Sequence, residues 1–311
     1  MVSQNFNPKQ FHQPDFLIIG AAKSGTTSLF YYFKQHPQIF LPENKEPGFF
    51  AFADTGVEHF YFPTYMPIRD STIRDAVGYR SLFGNANADQ RCGEASTIYL
   101  SSQIAPKNIR QLAPNTKMIA ILRNPIQRAY SNFNHFRADG LEPEPDFIQA
   151  CFLEEQRKRS FWYPAYYYLE NGMYSTQLRR YFDLFPADQI KVYLYEDLAN
   201  PTEMVQDVLE FIGVDANEPI DTSAKYNISG QRRLPWLYGL VRNNQTLKPL
   251  TRSAVPVKQW NMVKKVWDAL MVSRPRSLTP REFATLAEYY QSDVRALSGM
   301  IGRDLEGWLR Y

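Results

Sequence analysis

Nine consecutive residues, Gly20-Ala-Ala-Lys-Ser-Gly-Thr-Thr-Ser28, concentrate two glycines, a lysine and four hydroxyls. Between a strand and a helix, such a turn offers backbone N–H groups and the positive end of a helix dipole to a tetrahedral oxyanion. The plainer alternative is a tight turn with a solvated lysine. Lys, Ser, Gly and two Thr packed into one turn favour the anion. Farther along, Arg123 supplies a forked donor suited to phosphate. Ser131 falls about two turns into the next helix, where with Arg128 it is expected toward the same end of the sheet. An arginine capping a neighbouring helix is the competing reading of Arg123.

The elements that must position these groups follow from the apolar pattern. Asp15–Gly20 is a short apolar run ending in glycine, read as a buried strand. Ser24–Lys34 carries Leu29, Phe30 and Phe33 at helical spacing, and Pro37 ends that helix. Lys117–Leu122 reads as a second strand; Asn124 and Pro125 then open a helix through about Arg137. A helix around Gly172–Phe185 precedes a third strand, Gln189–Tyr195, and a helix from Pro201 to Ile212 stops at Gly213. This alternation predicts an α/β fold, a three-layer domain whose central parallel sheet is flanked by helices. A helical C-terminal extension follows, with an amphipathic helix over Pro256–Val272 and a capping box, Thr279-Pro-Arg-Glu282, opening a last helix through about Met300. Glu43–Ser81 reads as a loop-rich functional excursion. One domain is expected over 1–311, its nucleotide-binding core at 14–235 and its extension at 236–311.

Composition narrows the classes. With 311 residues, 44% of them hydrophobic and 22% charged, the chain is globular rather than disordered or fibrous. Two cysteines, Cys92 and Cys151, make no disulfide framework for this length and fit a reducing compartment. The N-terminus is polar, and no apolar run approaches the ~20 residues a bilayer crossing needs. A soluble, cytoplasmic protein is therefore expected. The net charge of +3 is uneven: Lys225–Arg281 holds twelve Lys or Arg against one acid, a net +11 that leaves −8 for the rest. Such asymmetry points to contact with an anion.

The glycine spacing Gly20…Gly25 matches a Walker A loop, yet Thr26 stands where that loop has lysine, and the lysine lies forward at Lys23. Lys23-Ser24-Gly25-Thr26-Thr27-Ser28 resembles instead the 5′-phosphosulfate loop of the sulfotransferases that use 3′-phosphoadenosine 5′-phosphosulfate (PAPS). The resemblance implies that Lys23 bonds the leaving phosphate while Ser24, Gly25, Thr26, Thr27 and Ser28 hold its oxygens, with no metal required. Arg123-Asn-Pro-Ile-Gln-Arg-Ala-Tyr-Ser131 is similar to that family's 3′-phosphate motif, which implies Arg123 and Ser131 as its ligands. Tyr226-Asn-Ile-Ser-Gly-Gln-Arg-Arg233 resembles the family's late nucleotide loop. It adds Gly230, Gln231, Arg232 and Arg233 as donor-binding residues, with a basic surface loop as the alternative. Likeness to the superfamily extends to Glu196-Asp197 and, loosely, to Gly302–Trp308.

Sulfuryl transfer needs a group to take the acceptor proton. Lys45-Glu46-Pro-Gly-Phe-Phe50 resembles the segment that carries a glutamate base in heparan-sulfate-type and many bacterial sulfotransferases, which implies Glu46. The alternatives are a solvated carboxylate paired with Lys45 and a histidine base, as in the cytosolic small-molecule enzymes. Of His12, His36, His59 and His135, His59 is the best placed; His36 reads as a helix-end cap and His135 as possible core. Gly93-Glu94-Ala-Ser-Thr-Ile-Tyr99 is similar to the family's G-E-x-[ST]-P-x-Y segment, with Thr97 where that pattern has proline. Some heparan-type enzymes place an acceptor-binding lysine where Ala95 stands. Both departures argue against a heparan acceptor.

The expected product of the donor is 3′-phosphoadenosine 5′-phosphate (PAP). The acceptor is a small molecule, glycan, lipid or carrier-bound group. Three readings compete for the basic stretch: a solvated face, acceptor steering, or contact of 256–281 with an anionic surface, Trp260 and Trp267 lying opposite Lys264 and Lys265. Steering is the working expectation, with Lys258, Lys264 and Lys265 setting acceptor KM. No nucleic-acid motif is present. A nucleoside-triphosphate kinase and a non-catalytic nucleotide-binding scaffold are the rival functions.

Overall fold

The computed structural model describes residues 13–53, 60–63, 71–224 and 276–311, and the backbone alone at 231–232 and 272–273. Five parallel strands form the central sheet in the order β2-β3-β1-β4-β5, where β1 is Phe16–Gly20, β2 Ile39–Phe40, β3 Arg91–Ala95, β4 Lys117–Leu122 and β5 Ile190–Leu194. Backbone pairing of Gln231–Arg232 with Val272–Ser273 makes a separate antiparallel pair.

Because side chains alternate across a strand, β1 and β4 each feed two cores. Leu17, Ile19, Met118, Ala120 and Leu122 enter one apolar layer; Phe16, Ile18, Ile119 and Ile121 enter the other. The second layer is closed by α1 (Thr26–Phe33), through Leu29, Phe30 and Phe33, and by α10 (Pro201–Ile212), through Val205, Val208 and Leu209. On the first lie α2 (Phe49–Phe52), α4 (Ile98–Ser101), α5 (Ala105–Leu112), α6 (Pro125–Ala138), α9 (Tyr174–Phe182) and α11 (Pro280–Ile301). Three short helices complete the described set: α3 (Ala76–Ser81), α7 (Phe147–Phe152) and α8 (Glu154–Arg159). The three-layer α/β architecture expected from the pattern is the one observed.

Local signals act as the sequence predicts at several ends. Asn124 caps α6 by accepting from Ile126 N at 3.0 Å and Gln127 N at 3.2 Å, with Pro125 at the first helical position. Gly213 ends α10 at φ +80°, and Thr279 and Glu282 form the capping box of α11. That last helix is tied to the core: Asp293 accepts from Ser175 N at 3.1 Å and Ser175 Oγ at 2.5 Å, and Tyr290 donates to Leu169 O at 3.0 Å.

Differences are equally physical. Two of the five strands escape the pattern: β2 is only two residues long, and β3 carries an arginine, a glycine and a glutamate. The first helix starts at Thr26 rather than Ser24, because Gly25 at φ +93° is its N-cap. The third strand is Ile190–Leu194, and the helix expected at Gly172–Phe185 begins at Tyr174 after a 3₁₀ turn. Within the loop-rich stretch, α2 and α3 form and bury Phe49, Phe50 and Tyr79. The helix expected over Pro256–Val272 falls outside the described residues, apart from backbone at Val272, as do Lys258, Lys264, Lys265, Trp260 and Trp267.

Candidate active site

In a sheet of this order the chain leaves β1 for one side and returns through β4 to the other, so the carboxyl ends of β1 and β4 mark the switch point. The Gly20–Ser28 loop follows β1, and Arg123 follows β4. Ala21 N donates to Ile121 O at 2.8 Å, and Arg123 Nη1 donates to Lys23 O at 3.3 Å, which joins the two segments.

The loop is built for close approach. Gly25 adopts φ +93°, and a Cβ there would lie 2.3 Å from Leu198 Cδ1, so only glycine fits without displacement. Lys23 adopts φ +69°. No side chain caps α1 and no acid lies in its first turn, leaving that positive end to the loop. Ser24 and Thr26 are buried, the Ser24 hydroxyl without a hydrogen-bond partner, whereas Thr27 and Ser28 are half-exposed.

Three cations gather here. Burial pulls the Lys23 ammonium down to about 8; Asp139 opposes the shift, and the charges of Arg123 and Lys45 add to it. Burial likewise lowers Arg123, whose guanidinium lies 4.6 Å over the Tyr195 ring and whose Nε is buried without a partner. Desolvated cations that repel one another, with an orphaned donor among them, fit an anionic ligand. Ser131 is buried on α6. Arg128 lies toward the same end of the sheet, as expected: it shares a cleft lining with Ala21, Ala22 and Thr97, and its buried guanidinium donates to Tyr168 O at 2.6 Å while Nε and Nη1 have no partner.

Glu46 closes the opposite side. Its backbone sits at φ +67°, and its N–H donates to Ala95 O at 2.9 Å. The carboxylate accepts from Thr97 N at 3.0 Å, Thr97 Oγ1 at 2.9 Å and Lys45 Nζ at 3.1 Å. Beside it opens a cleft lined by Thr97, Arg128, Asn132, Tyr163 and Gln177 and bounded by Ala21 and Ala22. Lys45 therefore stands between the anion loop and the cleft. Beneath Glu46, Glu94 is fully buried; burial raises its carboxyl to about 7, against hydrogen bonds from Tyr99 at 2.6 Å and Ser96 at 2.9 Å.

The histidines fare differently. His36 is buried, with Nε2 2.8 Å from Asp215 O and Nδ1 accepting from Gln38 N at 3.1 Å, a structural tie at a helix end as expected. His135, read as possible core, is exposed on α6. His12 and His59 lie outside the described residues, as do Gly230 and Arg233, and Gln231 and Arg232 are described by backbone alone. Sequence reasoning missed three contributors: Thr97 as donor to Glu46, Tyr195 under Arg123, and Asp139 beside Lys23. For Thr97 alone there was a signal, the mismatch at the proline position. The two late strings do meet, since Arg303 Nη2 donates to Asp197 Oδ1 at 2.9 Å and Trp308 Nε1 to Glu196 Oε1 at 2.9 Å.

An anion loop at the switch point, a second phosphate-type arginine across it and a carboxylate at the adjoining cleft define a P-loop-like group transferase. The chain belongs to the PAPS-dependent sulfotransferase family: residues 13–231 match its sulfotransferase domain. The bifunctional heparan sulfate N-deacetylase/N-sulfotransferase 2 of Bos taurus is 30% identical over 207 residues, 65% of this chain and 22% of that protein. The corresponding Drosophila melanogaster enzyme is 25% identical over 229 residues, 69% of this chain and 21% of its own. The chain thus spans about a fifth of the length of these curated relatives. A crystal structure of a sulfotransferase from Alicyclobacillus acidocaldarius superposes with a TM-score of 0.73 at 29% identity, covering 96% of this chain and all of that one. Among the described residues, no helix is long and apolar enough to cross a membrane.

Proposed function

We propose that the protein transfers the sulfuryl group of PAPS directly to an acceptor hydroxyl or amine held in the cleft beside Glu46. The donor supplies an activated sulfuryl group on a phosphate. Lys23 and the Gly25–Ser28 amides hold the 5′ end, Arg123 and Ser131 the 3′-phosphate, and Gly230, Gln231, Arg232 and Arg233 complete the nucleotide site. Glu46 takes the acceptor proton as the acceptor oxygen or nitrogen bonds to sulfur. The bond from sulfur to the bridging oxygen breaks, and Lys23 meets the charge left on phosphate.

The observation that carries this reading is the convergence of Lys23, Arg123 and Lys45 at the switch point, with Glu46 bonded to the last of them. The named relatives act on heparan sulfate, which makes a glycan amine or hydroxyl one acceptor class to test. Ala95 and Thr97 favour a different acceptor, a small molecule, lipid or carrier-bound group. A labelled-donor screen across these classes, with mass analysis of the product, tests the transfer. Glu46→Gln is expected to lower kcat by about 10²-fold or more while PAP affinity stays put. A Glu46→Gln protein with full activity removes the base assignment.

A further inference from the structure

We infer that Thr97 is a positioning residue that hangs Glu46 at the mouth of the cleft. The inference rests on the proposed role of Glu46 and deepens it. Three successive residues at the end of β3 grip the turn that carries Glu46. Ala95 O accepts from Glu46 N at 2.9 Å, Ser96 Oγ accepts from Gly48 N at 3.0 Å, and Thr97 reaches the Glu46 carboxylate itself. The grip matters because a left-handed backbone at a non-glycine residue, φ +67° at Glu46, is strained and persists only where the surroundings hold it.

The hydroxyl of Thr97 is the telling atom. Thr97 occupies the N-cap of α4, a position where threonine ordinarily spends its oxygen on the helix, yet it makes no side-chain cap there. Its Oγ1 instead donates to Glu46 Oε2 at 2.9 Å and approaches Oε1 at 3.2 Å, while its N–H donates to Oε2 at 3.0 Å. Lys45 takes Oε1 at 3.1 Å. An ionised carboxylate has about four acceptor sites, so these three donors leave about one for an acceptor proton. Glu46 thereby becomes a base that faces one way. Its side chain keeps 28% of its exposure and lines the cleft with Thr97. Proline, the residue of the family pattern here, has neither an N–H nor a hydroxyl to give. This chain therefore orients its base by a contact that the pattern lacks.

A graded series separates the two donors. Thr97→Ser keeps both, Thr97→Val removes the hydroxyl, and Thr97→Pro removes both. With the acceptor found by the screen, kcat is expected to fall about tenfold in Thr97→Val and further in Thr97→Pro, with KM for the donor within about twofold. Thr97→Ser is expected to recover kcat to within about threefold. On a Glu46→Gln background, Thr97→Val should cost nothing more, since both changes act through one group. A crystal structure of Thr97→Val should show the Glu46 carboxylate displaced, and PAP-induced thermal stabilisation reports that each variant is folded. The inference is overturned if Thr97→Val keeps wild-type kcat, if its penalty persists in full on Glu46→Gln, or if the carboxylate stays in place. Full activity in Glu46→Gln alone would instead remove the base and the inference with it.

Discussion

The two ends of the active site are made by different means. The proposed donor end is almost contiguous: one loop of nine residues, with Arg123 bonded to the Lys23 carbonyl across it. The proposed acceptor end is assembled from Glu46, Thr97 and Tyr163, residues far apart in the chain, and depends on a left-handed residue and side-chain hydrogen bonds. A backbone cradle tolerates change in many of its side chains but not in its glycines or its one lysine. An assembled base tolerates change around it only while its few donors survive. On the proposed function, donor recognition is the robust half, and the acceptor half is the one that substitutions at single positions should redirect.

Substitution of Lys23 gives the largest test of that contrast. Lys23→Ala should lower kcat by about 10²–10³-fold, the scale of losing a donor aimed at developing charge, and also weaken PAP by about tenfold. The comparison breaks if Lys23→Ala leaves PAP affinity untouched, because Lys23 would then belong with Glu46 on the chemical side alone. Kinetics beside calorimetric PAP titration separates the two results.

A smaller effect follows from the same ammonium. Burial lowers Lys23 to about 8, so its charged form dominates below that pH and is lost above it. An anion favours the charged form, which means PAP should bind more weakly as pH rises. Between pH 7 and 9.5, Kd is expected to rise about tenfold in the wild type. In Lys23→Arg, whose guanidinium stays charged, the profile over that range should be nearly flat. Equal slopes in the two proteins would place the titration elsewhere.

The same contrast governs what could be read from the sequence. β1 and β4 were legible because both faces of a central parallel strand are buried and the strand reads as an unbroken apolar run. β3, Arg-Cys-Gly-Glu-Ala, is just as central but carries a glycine and a glutamate. Gly93 is required because the Phe16 ring lies against it, where a Cβ would come within 2.2 Å of Cζ. Glu94 is tolerated because Tyr99, Ser96 and Tyr79 satisfy it, and those partners are visible only once the chain is folded. The loop was legible because contiguous residues make it. Glu46 was legible as a residue type in a resembling segment, but its orientation was not, since no local pattern announces φ +67° at a glutamate or a hydroxyl donor 51 residues downstream.

The finest test concerns how the donor end holds its second anchor. Arg123 has few bonds of its own: Nη1 reaches Lys23 O at 3.3 Å, Nε has no partner, and the Tyr195 ring lies 4.6 Å from the guanidinium carbon. A cation over an aromatic face is worth about 0.5–1 kcal/mol where solvent reaches it, and Tyr195 is 41% exposed. Tyr195→Leu should therefore weaken PAP binding about three- to fivefold, while Tyr195→Phe, which keeps the ring, should retain most of the affinity. The loss should vanish for an analogue that lacks the 3′-phosphate, because Arg123 would then have nothing to hold. A loss that persisted with that analogue would shift the role of Tyr195 from the 3′-phosphate to the loop that Arg123 also touches, and the donor end would be a single coupled unit rather than two anchors.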